Sequence, residues 1–386
     1  MNAPVVQGFF DLRFEPLRDT FAELFAEGKE LGAALSVSIG GETLVDLWAG
    51  HTDKEQSTCW QQDTLVNLFS CTKGVASAAV LMLVERGLLA LEQRVAHYWP
   101  EFGCNGKEDI RVEQLLCHSA GLSAIHPRVA DDELFDWATM VGYIEQDSPW
   151  WEPGSRHGYA PITFAWTVGE LFRRVAGETL GSFVQRELMQ PLEQELYIGL
   201  PVELDNRVAR ITQSPGSDIP DNSVMRAILG NPQGVTAHAF TNPLSIMNST
   251  NKPQWRRMEL CSGNGQGTAR ALAVFYDLLA NGGCYRGQQL LAGELIERAR
   301  QERVRGKDAV LGCDSRFGLG FLLHQEGDLA GLGVEGNFGH QGAGGALGFA
   351  DPARGVGFGY VTNRMGTEVL IDPRADRLLK ALYRSL

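Results

Sequence analysis

Nothing in this sequence pairs its cysteines. The seven lie scattered at positions 59, 71, 104, 117, 261, 284 and 313 with no C-x-x-C spacing, which fits reduced, mostly buried thiols and argues against a disulfide frame or a zinc site. H-E-x-x-H and clustered His/Cys sets are also missing, so neither a metal nor another cofactor is expected. Basic charge is scarce: 34 Lys and Arg against 47 Asp and Glu leave a formal charge of −13. A net acidic chain offers poor footing for nucleic acid or an anionic membrane surface. No apolar run approaches transmembrane length. The stretch Met1-Asn2-Ala3-Pro4-Val5-Val6-Gln7-Gly8 lacks the basic region, apolar core and cleavage site of a leader, which makes the cytoplasm the expected location. Gly-x-Ser-x-Gly occurs at no serine, which disfavours the α/β-hydrolase nucleophile elbow.

What is present is a core and a candidate nucleophile. With 44% hydrophobic residues over 386 positions the chain can build a substantial interior, as one large domain or two. Ser70-Cys71-Thr72-Lys73 sits at the mouth of the run from Gly74 to Glu85, whose small and apolar residues favour helix and which Gly87 stops. Positions i and i+3 share a helix face, so the Lys73 amine can reach the Ser70 hydroxyl. Burial and the positive end of the helix dipole both disfavour an ammonium there, leaving Lys73 able to take the serine proton. The same helix end offers an N–H to an oxyanion. The plainer reading of these residues is an N-cap serine and a solvated lysine. Ser249-Thr250-Asn251-Lys252 repeats the pattern, but Pro253 follows at once and a polar stretch, Asn242 to Asn248, precedes it. That copy reads as a surface loop with no helix to join the pair. Cys117-His118 reads as a buried thiol and a loop-stabilising histidine, because catalytic Cys and His meet in space rather than in sequence.

Along the chain, residues 11–29 predict an amphipathic helix, and Ala33–Ile39 and Thr43–Trp48 a hairpin turned by Gly40-Gly41. Residues 100–250 are rich in loops and helical segments, among them Val112–Leu116 and Phe164–Ala176. A helix over Thr268–Leu279 follows, then strand-like runs at Phe317–Leu323, Ala346–Ala350 and Val356–Thr362, and a closing helix near 373–385. Strands at both ends around a helical middle predict an α+β fold. An antiparallel sheet from 1–100 and 255–386 would be flanked by helices, with a mostly helical domain, 101–254, inserted and the site at their interface.

Trp151-Glu152-Pro153-Gly154-Ser155-Arg156-His157-Gly158-Tyr159 is a turn-forming stretch that presents one tyrosine. Beside a lysine ammonium its oxygen would be drawn toward phenolate and could carry a proton to a leaving group; away from one it is an ordinary interfacial tyrosine. Gly339-His340-Gln341-Gly342-Ala343-Gly344-Gly345-Ala346 precedes the strand-like Leu347-Gly348-Phe349. Small residues there would let a substrate lie against strand backbone, and one N–H could complete an oxyanion hole with that of Ser70; singly, the glycines mean a tight turn.

In this order, S-x-x-K, Pro-Gly-x4-Tyr and a Gly-rich strand motif resemble the serine β-lactamase and penicillin-binding protein superfamily. Leu115-Leu116-Cys117-His118-Ser119-Ala120-Gly121-Leu122 and Asn264-Gly265-Gln266-Gly267-Thr268-Ala269-Arg270 add to the likeness, which runs from about residue 30 to 365. Within it the chain is most similar to the class C-like family VIII carboxylesterases. The resemblance implies Ser70, Lys73 and Tyr159 as catalytic residues, Ser70 and Ala343 as oxyanion donors, and His340, Gln341 and Gly342 at the substrate; aromatics near the expected cleft, Trp151 and Phe338 among them, suggest an apolar acyl site at the substrate, although each taken singly reads more readily as core. Two departures separate it from class C β-lactamases. Their Tyr-x-Asn is Tyr159-Ala160-Pro161 here, and their Lys-Thr-Gly is His340-Gln341-Gly342, which removes a fixed cation. A small neutral ester of short, medium or aryl type is therefore the expected partner. A β-lactam, a D-amino-acid amide, acyl transfer or a silent binding relative stand as alternatives. His340 could act as a base for Ser70, line the acyl pocket or hydrogen-bond backbone.

Overall fold

Strand Val356–Thr362 alternates small and large, Val-Gly-Phe-Gly-Tyr-Val-Thr. A Cβ on Gly357 or Gly359 would collide with the carbonyls of Ala273 and Ala269, so the helix Ala269–Ala280 rests directly on the strand backbone. Phe358 and Tyr360 point to the opposite face and pack in a cluster with Phe14, Leu17, Leu378 and Leu382. The period-2 pattern thus places one helix on one face and a helix pair on the other. The computed structural model describes residues 4–213, 221–326 and 331–386. Met1 to Ala3, the start of the stretch read for a leader, lie outside the described residues.

The large sheet has nine strands: β1 (Gln7–Phe10), β2 (Gly32–Ile39), β3 (Glu42–Gly50), β4 (Val304–Lys307), β5 (Asp314–Phe317), β6 (Leu322–Leu323), β7 (Phe338–Gln341), β8 (Leu347–Asp351) and β9 (Val356–Thr362). They are ordered β1-β3-β2-β9-β8-β7-β6-β5-β4, and every neighbouring pair is antiparallel. Inside the sheet β2 pairs with β9, from Ala33↔Thr362 to Ile39↔Val356. Helices α1 (Glu15–Ala26) and α5 (Pro373–Ser385) cover one face; α2 (Thr72–Glu85), α3 (Phe164–Ala176) and α4 (Ala269–Ala280) belong to the other side. Between Val66 and Gly267 the chain is mostly helical. A small sheet of Val66–Asn67, Gln266–Gly267 and Leu196–Tyr197 ties its two ends together. The architecture is the expected α+β one.

Helix α2 is buried on every side from Thr72 to Leu83, as its run of small and apolar residues after Lys73 favours. A Cβ on Gly74 would lie 2.5 Å from Tyr276 Oη, so this glycine lets α2 approach α4. The run 317–323 differs from its expected single strand: Phe317 pairs with Leu322 across a tight reversal. Gly320 there is in the left-handed region (φ +78°), and a Cβ on Gly318 would strike the Ala299 carbonyl. The thiols also depart from expectation. Cys71, Cys117 and Cys261 are buried, whereas Cys104, Cys284 and Cys313 are half-buried and Cys59 is exposed. Among the described residues, no helix is long and apolar enough to cross a membrane.

Candidate active site

Ser70 occupies the 3-10 turn Phe69–Cys71 that leads into α2. Phe69 adopts φ +47°, a left-handed conformation that a phenylalanine rarely accepts. The turn is held by Thr72, whose hydroxyl donates to the Phe69 carbonyl (2.6 Å) and accepts from the Gly265 N–H (3.0 Å). One turn on, Lys73 is fully buried with Nζ 3.3 Å from Ser70 Oγ. The amine donates to the carbonyls of Pro161 (3.0 Å) and Ser262 (2.6 Å) and lies 4.8 Å from the Tyr159 ring centroid. Desolvation lowers Lys73 from the usual lysine range to about 7.

Tyr159 arrives on the loop before α3. Its phenol lies within reach of the Ser70 side chain, and its ring stacks on Phe317 (5.9 Å, 10°) and meets His118 edge-on at 4.9 Å. The expected pull toward phenolate is not what this setting does. Burial pushes the phenol well above its ordinary value, with Ser70 opposing only in part. Tyr159 therefore keeps its proton at ordinary pH.

Strand β7 supplies the third wall. Gly342, just past its end, packs so closely on the segment before the nucleophile that a Cβ would lie 2.5 Å from the Leu68 carbonyl and 3.3 Å from Phe69 Cβ. Each of these contacts is followed along the chain by the next group of interest: exposed Ala343 after Gly342, and Ser70 after Phe69. The Cys71 thiol donates to the His340 carbonyl (3.1 Å) and pins β7 to the nucleophile turn from below. His340 is fully buried, with Nδ1 2.7 Å from the Gln341 carbonyl and its ring 5.9 Å from that of Tyr159. Burial first, and Lys73 second, depress it to about 3, so the imidazole is neutral at ordinary pH. His340 Nε2 and Gln341 Oε1 are buried and have no hydrogen-bond partner among the described residues.

Two expected substrate contacts lie elsewhere. Phe338 has no exposed surface and packs edge-on against Phe321 at 5.3 Å, in the core under the sheet. Trp151 is buried, donates from its indole N–H to the Arg156 carbonyl (3.0 Å) and braces Gly158, so it supports the tyrosine loop from behind. In the second S-x-x-K stretch Ser249 is fully buried rather than on the surface, and its hydroxyl donates to the Ser245 carbonyl (2.6 Å). Exposed Lys252 reaches over the Phe135 ring, 6.0 Å from its centroid. Residues not singled out in the sequence also shape the site. The carbonyls of Pro161 and Ser262 aim the lysine, and Asp308 accepts from the Tyr159 N–H. Backbone carbonyls leave no trace in residue identity, and a lone aspartate after a strand carries no motif.

Comparison with known proteins gives this arrangement its family. A family model described as Beta-lactamase matches residues 17–382. The Esterase/beta-lactamase LipL of Mycobacterium tuberculosis is 33% identical over 380 residues, which cover 96% of this chain and 86% of that protein. Among solved structures, a family VIII carboxylesterase superposes with a TM-score of 0.89 at 37% identity, covering 99% of this chain and 100% of its own. A penicillin-binding protein homologue from Caulobacter crescentus gives a TM-score of 0.90 at 38% identity, with 99% and 100% covered.

Proposed function

The chain belongs to the β-lactamase family and is a serine hydrolase, and from that premise we propose that it is a carboxylesterase working through an acyl-enzyme on Ser70. The observation that carries the reading is the Lys73 amine, fully buried, 3.3 Å from Ser70 Oγ and depressed to about 7. A neutral amine has two N–H groups and one lone pair. The carbonyls of Pro161 and Ser262 take the two N–H groups, which leaves the lone pair facing the serine.

Ser70 Oγ attacks the ester carbonyl as its proton passes to Lys73 Nζ. Negative charge on the carbonyl oxygen is met by the N–H groups of Ser70, in an unpaired first turn, and of Ala343. Tyr159 gives its proton to the departing alkoxide and regains one from Lys73; water then repeats the cycle in reverse on the acyl-enzyme. A neutral ester suits the third motif, because neutral, buried His340 offers no fixed charge to a substrate carboxylate. Short to medium acyl or aryl esters are the class proposed.

The test is hydrolysis of p-nitrophenyl acetate, butyrate and octanoate beside a chromogenic cephalosporin, by wild type and Ser70→Ala in parallel. Ester turnover that falls at least about a thousandfold in the variant, with little cephalosporin cleavage, is the expected result. Dominant cephalosporin turnover would sink the esterase reading in favour of a β-lactamase.

A further inference from the structure

The loop that carries Tyr159 is stitched down by two side chains outside the reacting groups. His118, itself at φ +62°, accepts the Ala160 N–H on Nδ1 (3.3 Å), and its carbonyl accepts the Gly158 N–H (3.0 Å). The second is Asp308, which follows β4 and is 1% exposed. Its two oxygens receive the Tyr159 N–H at 3.0 and 3.1 Å. They also receive the N–H groups of Val310 (2.8 Å) and Leu311 (2.9 Å) and the Ser315 hydroxyl (3.0 Å). All four of these groups are donors, which suits a carboxylate as their common acceptor. Among the described residues its only cation-capable neighbour within ion-pair range is His157, with Nε2 at 3.9 Å and 2.9 Å from Ser315 Oγ. A buried carboxylate without a lysine or arginine is expensive for a plain turn, which an uncharged acceptor could hold as well.

The same hairpin grips the tyrosine twice. Asp308 fixes its backbone, and Phe317, two residues beyond Ser315 on β5, stacks flat on its ring. With its backbone and its ring both held, the phenol has little room to move away from Ser70. We infer that Asp308 is a positioning residue for Tyr159, its carboxylate anchoring the tyrosine backbone so that the phenol stays in register with Ser70. The inference rests on the reading of Tyr159 as proton donor.

The experiment is a double-mutant cycle on p-nitrophenyl butyrate hydrolysis, with the melting temperature of each variant recorded. Asp308→Asn turns an amide donor toward N–H groups. It should lower kcat roughly 30-fold with KM within about threefold, the scale of loss from a sub-ångström misplacement. In a Tyr159→Phe background the same change should alter kcat/KM by less than about twofold, because the group being positioned is gone. Ser315→Ala, which removes one donor and leaves the charge, should lower kcat by about threefold, again only where Tyr159 is present. If Asp308→Asn yields no folded protein, the Ser315→Ala cycle decides alone. Equal losses in both backgrounds, or full activity of both single variants, overturn the inference and leave the catalytic reading standing. Wild-type turnover by Tyr159→Phe overturns the proton-donor reading, and the inference falls with it.

Discussion

Two stretches of this chain spell S-x-x-K, and they share almost nothing else. In Ser70–Lys73 the serine is half-buried at a helix mouth, and the lysine is sealed under it with two carbonyls for company. In Ser249–Lys252 the burial is inverted. The serine is sealed, its hydroxyl spent on Ser245, and the lysine stands in solvent at the N-cap of the helix Pro253–Arg257. Proline at N1 forces the preceding residue out of helical geometry, so Lys252 (ψ 140°) cannot sit on the face its serine would need. The proposed catalytic pair is therefore set apart by what desolvates the amine and what leaves the hydroxyl open, and spacing alone supplies neither.

Lys73→Met should produce the largest contrast. Ester turnover is expected to fall by about 10²- to 10⁴-fold, as for loss of a general base. The melting temperature should hold or rise, because an amine is no longer taken out of water. Lys252→Met should leave turnover unchanged in the same assay; parallel losses would mean that the two stretches are not distinct in function.

The pH profile sharpens the comparison on the reactive side. With Lys73 near 7, log kcat/KM should climb one unit per pH unit up to about 7 and then level off. His340, held near 3, should add no second limb above pH 4. Stability follows with a definite sign. The folded value lies below the unfolded lysine value of 10.5, so between 7 and 10.5 the unfolded chain binds more protons and this group makes stability rise with pH. In Lys73→Met that slope should disappear from denaturant titrations run at pH 7.5, 8.5 and 9.5. A slope that survives the substitution would assign it to other groups.

The smallest effect is expected at Ser249→Ala. It leaves the Ser245 carbonyl without its donor and should cost about 1 kcal/mol of folding free energy, read as a lowered urea midpoint. Turnover should stay within experimental scatter of wild type. A large fall in activity would place Ser249 in the chemistry after all.

What was legible in the sequence was whatever is written locally. Val356–Thr362 and Phe164–Ala176 have the bounds that their patterns predict. The hairpin at Gly40-Gly41 turns with φ +60° and +86°, as a two-glycine turn should. Ser70, Lys73 and Tyr159 were legible through motif order, and the structure brings the three together. Phe338 was misplaced because an aromatic beside a glycine-rich motif looks the same in sequence whether it faces a cleft or the core, and β7 turns it inward onto Phe321. β4 escaped notice because Val304-Arg305-Gly306-Lys307 is polar at an exposed sheet edge. Asp308 could not be found at all, since its value comes from a tyrosine 149 positions away. The state of Tyr159 differs from the expected phenolate pull because burial of its own phenol, which no motif records, dominates.

The pairing of β2 with β9 also sets a timetable for synthesis. Residues 33 and 362 are register partners inside the sheet, so at translation rates of 5–20 residues per second the first waits roughly 16–65 s for the second to be made. During that interval the hairpin of β2 and β3 has one long apolar edge with nothing beside it, a template for strands of other chains. Cold, slow expression lengthens the exposure, whereas holdase chaperones that cover strand edges should raise the yield of active enzyme more than they raise total protein.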